Sequence, residues 1–174
     1  LPIYYYLKEK GNFKPTEAHI FITGSNEWKQ FETWPPKNIS NQKMYLQSNG
    51  KIVFNKAIMS VPTYDEYVSD PNKPVHYQGG VLESRSREYM VDDQRFSSNR
   101  PDVMVYQSDI LAEDITLARP VINQLFVSST GTDADYVVKL IDVYPEDTPK
   151  FNNKLMGGYQ NLIRAEIMRA KYRN

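Results

Sequence analysis

The chain reads as an all-β domain, a β-sandwich of the jelly-roll kind, on three observations. Its apolar runs are short and broken by turn clusters such as Lys10-Gly11-Asn12, Gly24-Ser25-Asn26 and Ser48-Asn49-Gly50. It carries 13 tyrosines and 11 prolines, a composition that suits strands and ordered loops more than helices. Its most regular run, Tyr136 to Tyr144, is largely apolar on both faces over Val137 to Val143, as a strand enclosed in a sandwich would be. Long connections between such runs favour a jelly roll over a simple meander.

Taken in order, Ile3 to Leu7 is a β-rich start and His19 to Thr23 a short apolar strand. Lys43 to Gln47 and Lys51 to Phe54 flank Ser48-Asn49-Gly50, and Asn-Gly between two such runs signals a hairpin. From Pro62 to Gly80 the chain is rich in Pro, Asp, Tyr and Gly without periodicity, which predicts a long ordered loop of the kind that carries contacts. Val103 to Gln107, Ile115 to Leu117, Val121 to Ser128 and Tyr136 to Tyr144 read as strands. Leu162 to Tyr172 fits both a helix and a period of two, and its β surroundings favour a strand.

At 174 residues the chain can bury one core, so a single domain over residues 1–174 is expected. Its 21 basic and 21 acidic side chains cancel, which argues against nucleic acid or an anionic membrane surface as partner. No apolar run approaches the roughly 20 residues that span a bilayer. The absence of cysteine removes disulfides, thiolate metal sites and a cysteine nucleophile. Both ends read as boundaries of a fragment, since Leu1 opens without a signal pattern and Asn174 follows the strongly patterned Arg169-Ala170-Lys171-Tyr172-Arg173.

Nucleophilic catalysis needs an activated serine, typically on a Gly-x-Ser-x-Gly elbow, with a histidine in reach. Gly24-Ser25 and Ser129-Thr130-Gly131 lack that spacing and read as turns. His19 lies in an apolar strand and His76 in the long loop, neither with a partner set for base or metal chemistry. No catalytic residue and no cofactor is therefore assigned. Asp133 and Asp135 are candidate calcium ligands, against a reading in which Asp133 caps a turn and Asp135 pairs with Arg164 or Arg169. The second reading is preferred, because the glycine-containing spacing of a calcium loop is missing. Asp92, Asp93 and Asp109 read as solvated loop charges or caps.

Trp28, Phe31 and Trp34, followed by Pro35-Pro36, form an exposed-looking cluster. Aromatic platforms stack on sugar rings, so a free-standing carbohydrate-binding module using Trp28 and Trp34 is the competing function. The alternative use of both tryptophans is to pack a loop onto the sandwich.

An ordered set of segments resembles a known family. Trp28-Lys29-Gln30-Phe31-Glu32-Thr33-Trp34-Pro35-Pro36 is similar to the W-x5-W-P-P opening of the C-terminal domain of X-Pro dipeptidyl-peptidase-like hydrolases. Asp70-Pro71-Asn72-Lys73-Pro74-Val75 with Gly79-Gly80, Asp93-Gln94-Arg95, and Arg100-Pro101-Asp102-Val103-Met104-Val105-Tyr106 follow in the family's order. Asp133-Ala134-Asp135-Tyr136-Val137-Val138-Lys139-Leu140-Ile141-Asp142-Val143 and the closing Arg169-Ala170-Lys171-Tyr172-Arg173 complete the set. Arg119 departs from the family's usual glycine before Pro120.

The resemblance covers nearly the whole chain. It looks closest to the branch of α-amino acid ester hydrolases and glutaryl-7-aminocephalosporanic acid acylases, beside cocaine esterase. It implies a galactose-binding-like jelly roll packed on an upstream α/β-hydrolase domain of the same polypeptide, where the serine, aspartate and histidine reside. It further implies a wall for the substrate cleft, a role in homo-oligomer assembly, and a bacterial periplasmic or secreted parent. Tyr64, Tyr67, His76 and Tyr77, with Trp28 and Trp34, are the expected interdomain or cleft-facing residues.

Overall fold

A computed structural model describes residues 2–11, 13–56, 63–84 and 86–172 of the chain. They form two compact units, Leu1–Lys43 with Leu111–Ile122, and Met44–Ile110 with Asn123–Asn174. Strand is the predominant regular structure, and the chain is all-β. Three antiparallel ladders of two strands each carry it among the described residues.

In the first unit, β1 (Ala18–Ile22) pairs with β2 (Glu27–Phe31), setting Phe21 opposite Trp28 and His19 opposite Gln30. The turn between them uses Gly24 and Asn26, both at positive φ, where glycine and asparagine meet least steric cost. Ala18, Ile20 and Ile22 are half-buried while His19 and Phe21 are exposed, the period of two that a one-faced sheet requires.

The expected first strand is instead helix α1 (Pro2–Lys8). Proline at a first helical position has φ already set and no N–H to waste, and among the described residues no strand pairs with the tyrosine run. The Glu9 N–H returns to the Tyr5 carbonyl at 3.0 Å, and Glu9 and Gly11 at positive φ end the helix. Tyr5 and Tyr6 gather edge-on around Phe13, with centroids 6.0 and 6.1 Å from its ring. Asn12, Pro62 and Arg173, which the sequence reading used at a turn, a loop start and a closing motif, lie outside the described residues.

The second unit opens with β3 (Tyr45–Gln47) and β4 (Lys51–Val53), the expected hairpin. Asn49 and Gly50 stand at φ 80° and 72° in its turn. A side chain at Gly50 would also meet the Val105 carbonyl at 2.9 Å, so both backbone shape and space call for glycine. The segment 103–107 joins this hairpin only at its end, where Gln107 bridges to Lys51 through hydrogen bonds with Ile52 and Gly50. Ile115 to Leu117 and Val121 to Ser128 take no part in a ladder. Apolar alternation predicts an extended chain, but a ladder also needs a partner edge.

The principal ladder joins β5 (Asp135–Val143) to β6 (Gln160–Arg169), with a bulge at Leu140/Ile141. Further backbone bonds, Ala170 to Ala134 and Tyr144 to Tyr159, extend it at each end. The ambiguous last segment is thus a strand. Val137 remains 55% exposed and its cross-strand partner Ile167 56%, so the ladder is not enclosed on both faces as its composition suggests. Among the described residues Gln94, Ser97, Gly158, Tyr159 and Ala170 are buried; Gln94 and Ser97 come from the loop and short helix α2 (Arg95–Ser98).

Candidate functional site

Six charged residues of the sequence motifs form three pairs: Asp93 with Arg95, Arg100 with Asp102 and Asp135 with Arg169. Asp93 takes Arg95 in a two-pronged pair, Nη2 at 2.5 Å and Nε at 2.8 Å, and also accepts the Arg95 N–H at 3.2 Å. Burial acts to raise the Asp93 pKa, but these bonds, the Gln160 N–H and the guanidinium charge outweigh it, and the carboxyl lies below its usual range. Gln94 between them is fully buried. Its Nε2 donates to the Asp92 carbonyl at 2.8 Å, and its Oε1 accepts Lys139 Nζ of β5 at 2.7 Å. That ammonium also stands 5.1 Å from the centroid of the Phe96 ring. Burial pushes Lys139 below the ordinary lysine value, against the pull of the Asp92 carboxylate.

This hub fastens the long loop. Asp92 Oδ2 accepts the Gly79 N–H at 2.8 Å. Arg100 grips Asp102 through Nε and Nη2 at 2.8 and 2.6 Å, and Nη2 also donates to the Lys73 carbonyl at 2.7 Å. The Tyr106 hydroxyl donates to Asp65 Oδ2 at 2.7 Å, and burial together with that carboxylate pushes its pKa up to about 12. The loop from residue 63 to 80 is therefore irregular but tied at Asp65, Lys73 and Gly79. Between the ties it turns side chains outward: Tyr64 is 84% exposed, and Tyr67, His76 and Tyr77 are exposed as well.

Tyr77 packs at 5.4 Å and 45° against Tyr89, which sits on the 3-10 turn Glu88–Met90. The two rings, with Leu82, Glu83 and Ser84, line a hollow of about 440 Å³. Tyr89 escaped the sequence reading because nothing local marks it; only its contact with Tyr77 does. Gln94 escaped for the same reason, although it stands inside the Asp93-Gln94-Arg95 motif.

Asp133 and Asp135 divide as a turn and a pair. Asp133 Oδ1 accepts the Ala134 N–H at 2.8 Å, while both Asp135 oxygens take Arg169, its cross-strand neighbour, at 2.9 and 3.1 Å. The Arg169 guanidinium holds the Asp135 carboxyl below its usual range. Arg164 faces Glu166 at 3.9 Å instead. Among the described residues no group of three His, Asp or Glu stands close enough to hold a metal ion. Asp109 pairs with Lys51 at 3.1 Å.

Trp28 and Trp34 are not brought together. Trp28 is 64% exposed and meets Phe21 at 5.4 Å and His19 at 4.9 Å between ring centroids. Trp34 is half-buried and edge-on to Phe31 at 5.2 Å, and Phe31 falls on the other face of β2 from Trp28. No described helix is long and apolar enough to cross a membrane.

Residues 12–174 match the family described as the X-Pro dipeptidyl-peptidase C-terminal non-catalytic domain. The chain belongs to that family. Cocaine esterase of Rhodococcus sp. (strain MB1 Bresler) is 29% identical over 137 residues, which cover 75% of this chain and 24% of the esterase. The solved structure of an aminopeptidase from the marine sediment archaeon Thaumarchaeota archaeon superposes with a TM-score of 0.81 at 34% identity. That match covers 99% of this chain and 29% of the aminopeptidase. The chain spans about a quarter of the esterase and under a third of the aminopeptidase.

Proposed function

We propose that this chain is the cleft-walling, non-catalytic jelly-roll domain of a longer serine acyl hydrolase, joined to an upstream α/β-hydrolase domain that holds the catalytic triad. The observation that carries the reading is the 63–80 loop. It is clamped at Asp65 and Lys73 by Tyr106 and Arg100 of one family motif and at Gly79 by Asp92, yet leaves Tyr64, Tyr67, His76 and Tyr77 exposed. A loop held without its own secondary structure is ordered in advance for contact, which lowers the cost of meeting another surface. The parent would cleave an amide or ester through an acyl-serine intermediate, in keeping with relatives that are an esterase and an aminopeptidase.

The test treats the full-length gene product and this chain side by side with a fluorophosphonate and with p-nitrophenyl esters. Label and turnover are expected in the long polypeptide and absent from the 174-residue chain. Turnover by the short chain that survives stringent purification overturns the non-catalytic assignment; a full-length product without a labelled serine overturns the parent chemistry. In the full-length enzyme, Tyr64→Ser with Tyr67→Ser should change KM while leaving probe labelling intact, and an unchanged KM removes the loop from the cleft.

A second reading, saccharide stacking, rests on the exposure of Trp28 beside His19 and Phe21. It requires saccharide binding, read by calorimetry, that Trp28→Ala abolishes and Trp34→Ala spares. No heat at millimolar saccharide removes it.

A further inference from the structure

We propose that Asn38 is the acceptor of an asparagine-linked oligosaccharide, and that the hollow beside it seats the first sugar. Asn38-Ile39-Ser40 is an Asn-x-Ser triplet without proline at its centre, and no other asparagine of the chain opens such a triplet. It lies where a bulky group has room. Strand β2 ends at Phe31, Pro35 and Pro36 follow, and no described helix or strand returns before Tyr45. Asn38 sits in a turn and Ser40 in irregular chain, and both are exposed, the surface setting that a saccharide demands.

The structural uses of an asparagine do not fit Asn38. Asn26, Asn49, Asn152 and Asn153 stand at positive φ, where asparagine serves the backbone, and Asn72 donates its amide to Asp70. Asn38 has no positive φ, and among the described residues neither its amide nor the Ser40 hydroxyl has a hydrogen-bond partner. The acceptor nitrogen and the hydroxyl two positions on, which a transferase reads together, are thus both available. Asn38 also lines a hollow of about 360 Å³ with Phe31, Pro36, Gln30, Glu32 and Lys37. Phe31 and Pro36 give the C–H face of a sugar apolar cover, while the three polar side chains can bond its hydroxyls. The donor is a saccharide on a polyprenyl diphosphate. Asn38 Nδ2 bonds to the anomeric carbon, the bond from that carbon to the diphosphate oxygen breaks, and the lipid diphosphate leaves. One amide proton passes to a base of the transferase. It follows that the polypeptide crosses a membrane carrying that donor, a conclusion that does not rest on any catalytic activity.

The test translates the full-length gene product, behind an export signal, into membranes that hold an oligosaccharyltransferase and its lipid-linked donor. Mass spectrometry then reads the proteolytic peptide that contains Asn38. Wild type should carry saccharide on Asn38, Asn38→Gln and Ser40→Ala should carry none on that peptide, and Ser40→Thr should carry at least as much as wild type. The protein isolated from the organism that makes it should show the same linkage. A glycosidase that cuts at the Asn38 linkage should act on the order of tenfold more slowly on the folded chain than on the denatured one, as partial burial of the first sugar requires. An unmodified Asn38 in either preparation overturns the proposal, as does modification that survives Ser40→Ala. Equal release from folded and denatured protein overturns the seat in the hollow.

Discussion

Lys139→Met removes a side chain that reaches from the principal ladder to buried Gln94, and the outcome can be worked from two opposing effects. Lys139 Nζ donates to Gln94 Oε1 at 2.7 Å, and Gln94 is fully excluded from solvent. Taking away the donor leaves a buried amide oxygen without its partner, a loss of about 1–3 kcal/mol. Against this, the ammonium is half-buried and burial disfavours its charge, so methionine recovers part of that cost. The orphaned oxygen outweighs the recovered desolvation because Gln94 has no access to water, whereas the lysine retains some. A net loss of about 1–2 kcal/mol follows, or a fall of about 2–8 °C in Tm for a chain of this length.

The pH dependence has a definite sign. The folded-state pKa of Lys139 is lowered, so between that value and the unfolded value of about 10.4 the unfolded chain binds more protons. Stability relative to Lys139→Met should therefore rise with pH across that window. The cost of the buried charge is fully present below it. The neutral amine still donates to Gln94, so the bond survives deprotonation. Urea unfolding of wild type, Lys139→Met, Gln94→Leu and the double variant measures the coupling. A single variant as stable as wild type, or a cycle additive within about 0.3 kcal/mol, would refute the reasoning.

Other substitutions test the frame more narrowly. A methyl at Gly157 would collide with the Glu146 backbone carbonyl, whereas one at Gly158 meets the mobile end of the Glu146 side chain at 2.8 Å and a φ of +62°. Gly157→Ala should then cost about 1–3 kcal/mol, more than Gly158→Ala at about 1 kcal/mol, by urea denaturation. The Asp135 carboxyl is held low by Arg169, so its contribution is present above about pH 3.9 and lost as pH falls through the folded value. Asp135→Asn should flatten the acid limb of the stability profile, with the difference shrinking in 1 M salt, as expected for an exposed pair (~1 M being strong screening). Millimolar calcium should leave its Tm unmoved, since both Asp135 oxygens face Arg169; a calcium-dependent rise that Asp135→Asn abolishes would restore the metal reading. Tyr106 has a raised pKa, so its stabilisation is complete below about pH 10 and lost as pH climbs toward about 12. Tyr106→Phe should remove that alkaline loss and speed hydrogen exchange around Asp65.

What could be read from sequence was whatever a local pattern encodes. The Asn49-Gly50 turn, the alternation of β1 and the long run of β5 each state their own conformation, and the structure has them there. Strand β2 is harder, because Glu27, Lys29 and Gln30 dilute any alternation and Trp28 points away from the half-buried face. Helix α1 was hidden behind three tyrosines whose β preference has no partner edge to satisfy. The irregular loop was legible from its Pro-, Asp- and Gly-rich composition. Tyr89 and Gln94 were not, since their significance lies in contacts with Tyr77 and Lys139, 12 and 45 positions distant.

The same distinction bears on the charged motifs of a family described as a non-catalytic domain. Charged residues that recur at fixed spacing invite a catalytic interpretation, yet Asp93 with Arg95, Arg100 with Asp102 and Asp135 with Arg169 are each other's counter-ions. Every carboxylate in these pairs is pushed toward lower pKa, the opposite of what a general acid working near neutral pH requires. Their placement is what matters: the Arg100 guanidinium that holds Asp102 also reaches Lys73, and Asp92, beside the Asp93–Arg95 pair, holds Gly79. The pairs thus turn electrostatic energy into the position of an otherwise unstructured loop. Arg100→Lys separates the two roles. Lysine keeps the charge beside Asp102 but cannot also reach the Lys73 carbonyl with a second fixed N–H. The expected outcome is a nearly unchanged Tm together with faster hydrogen exchange near Lys73, and a loop that stays fully protected would show that the guanidinium is not its tether.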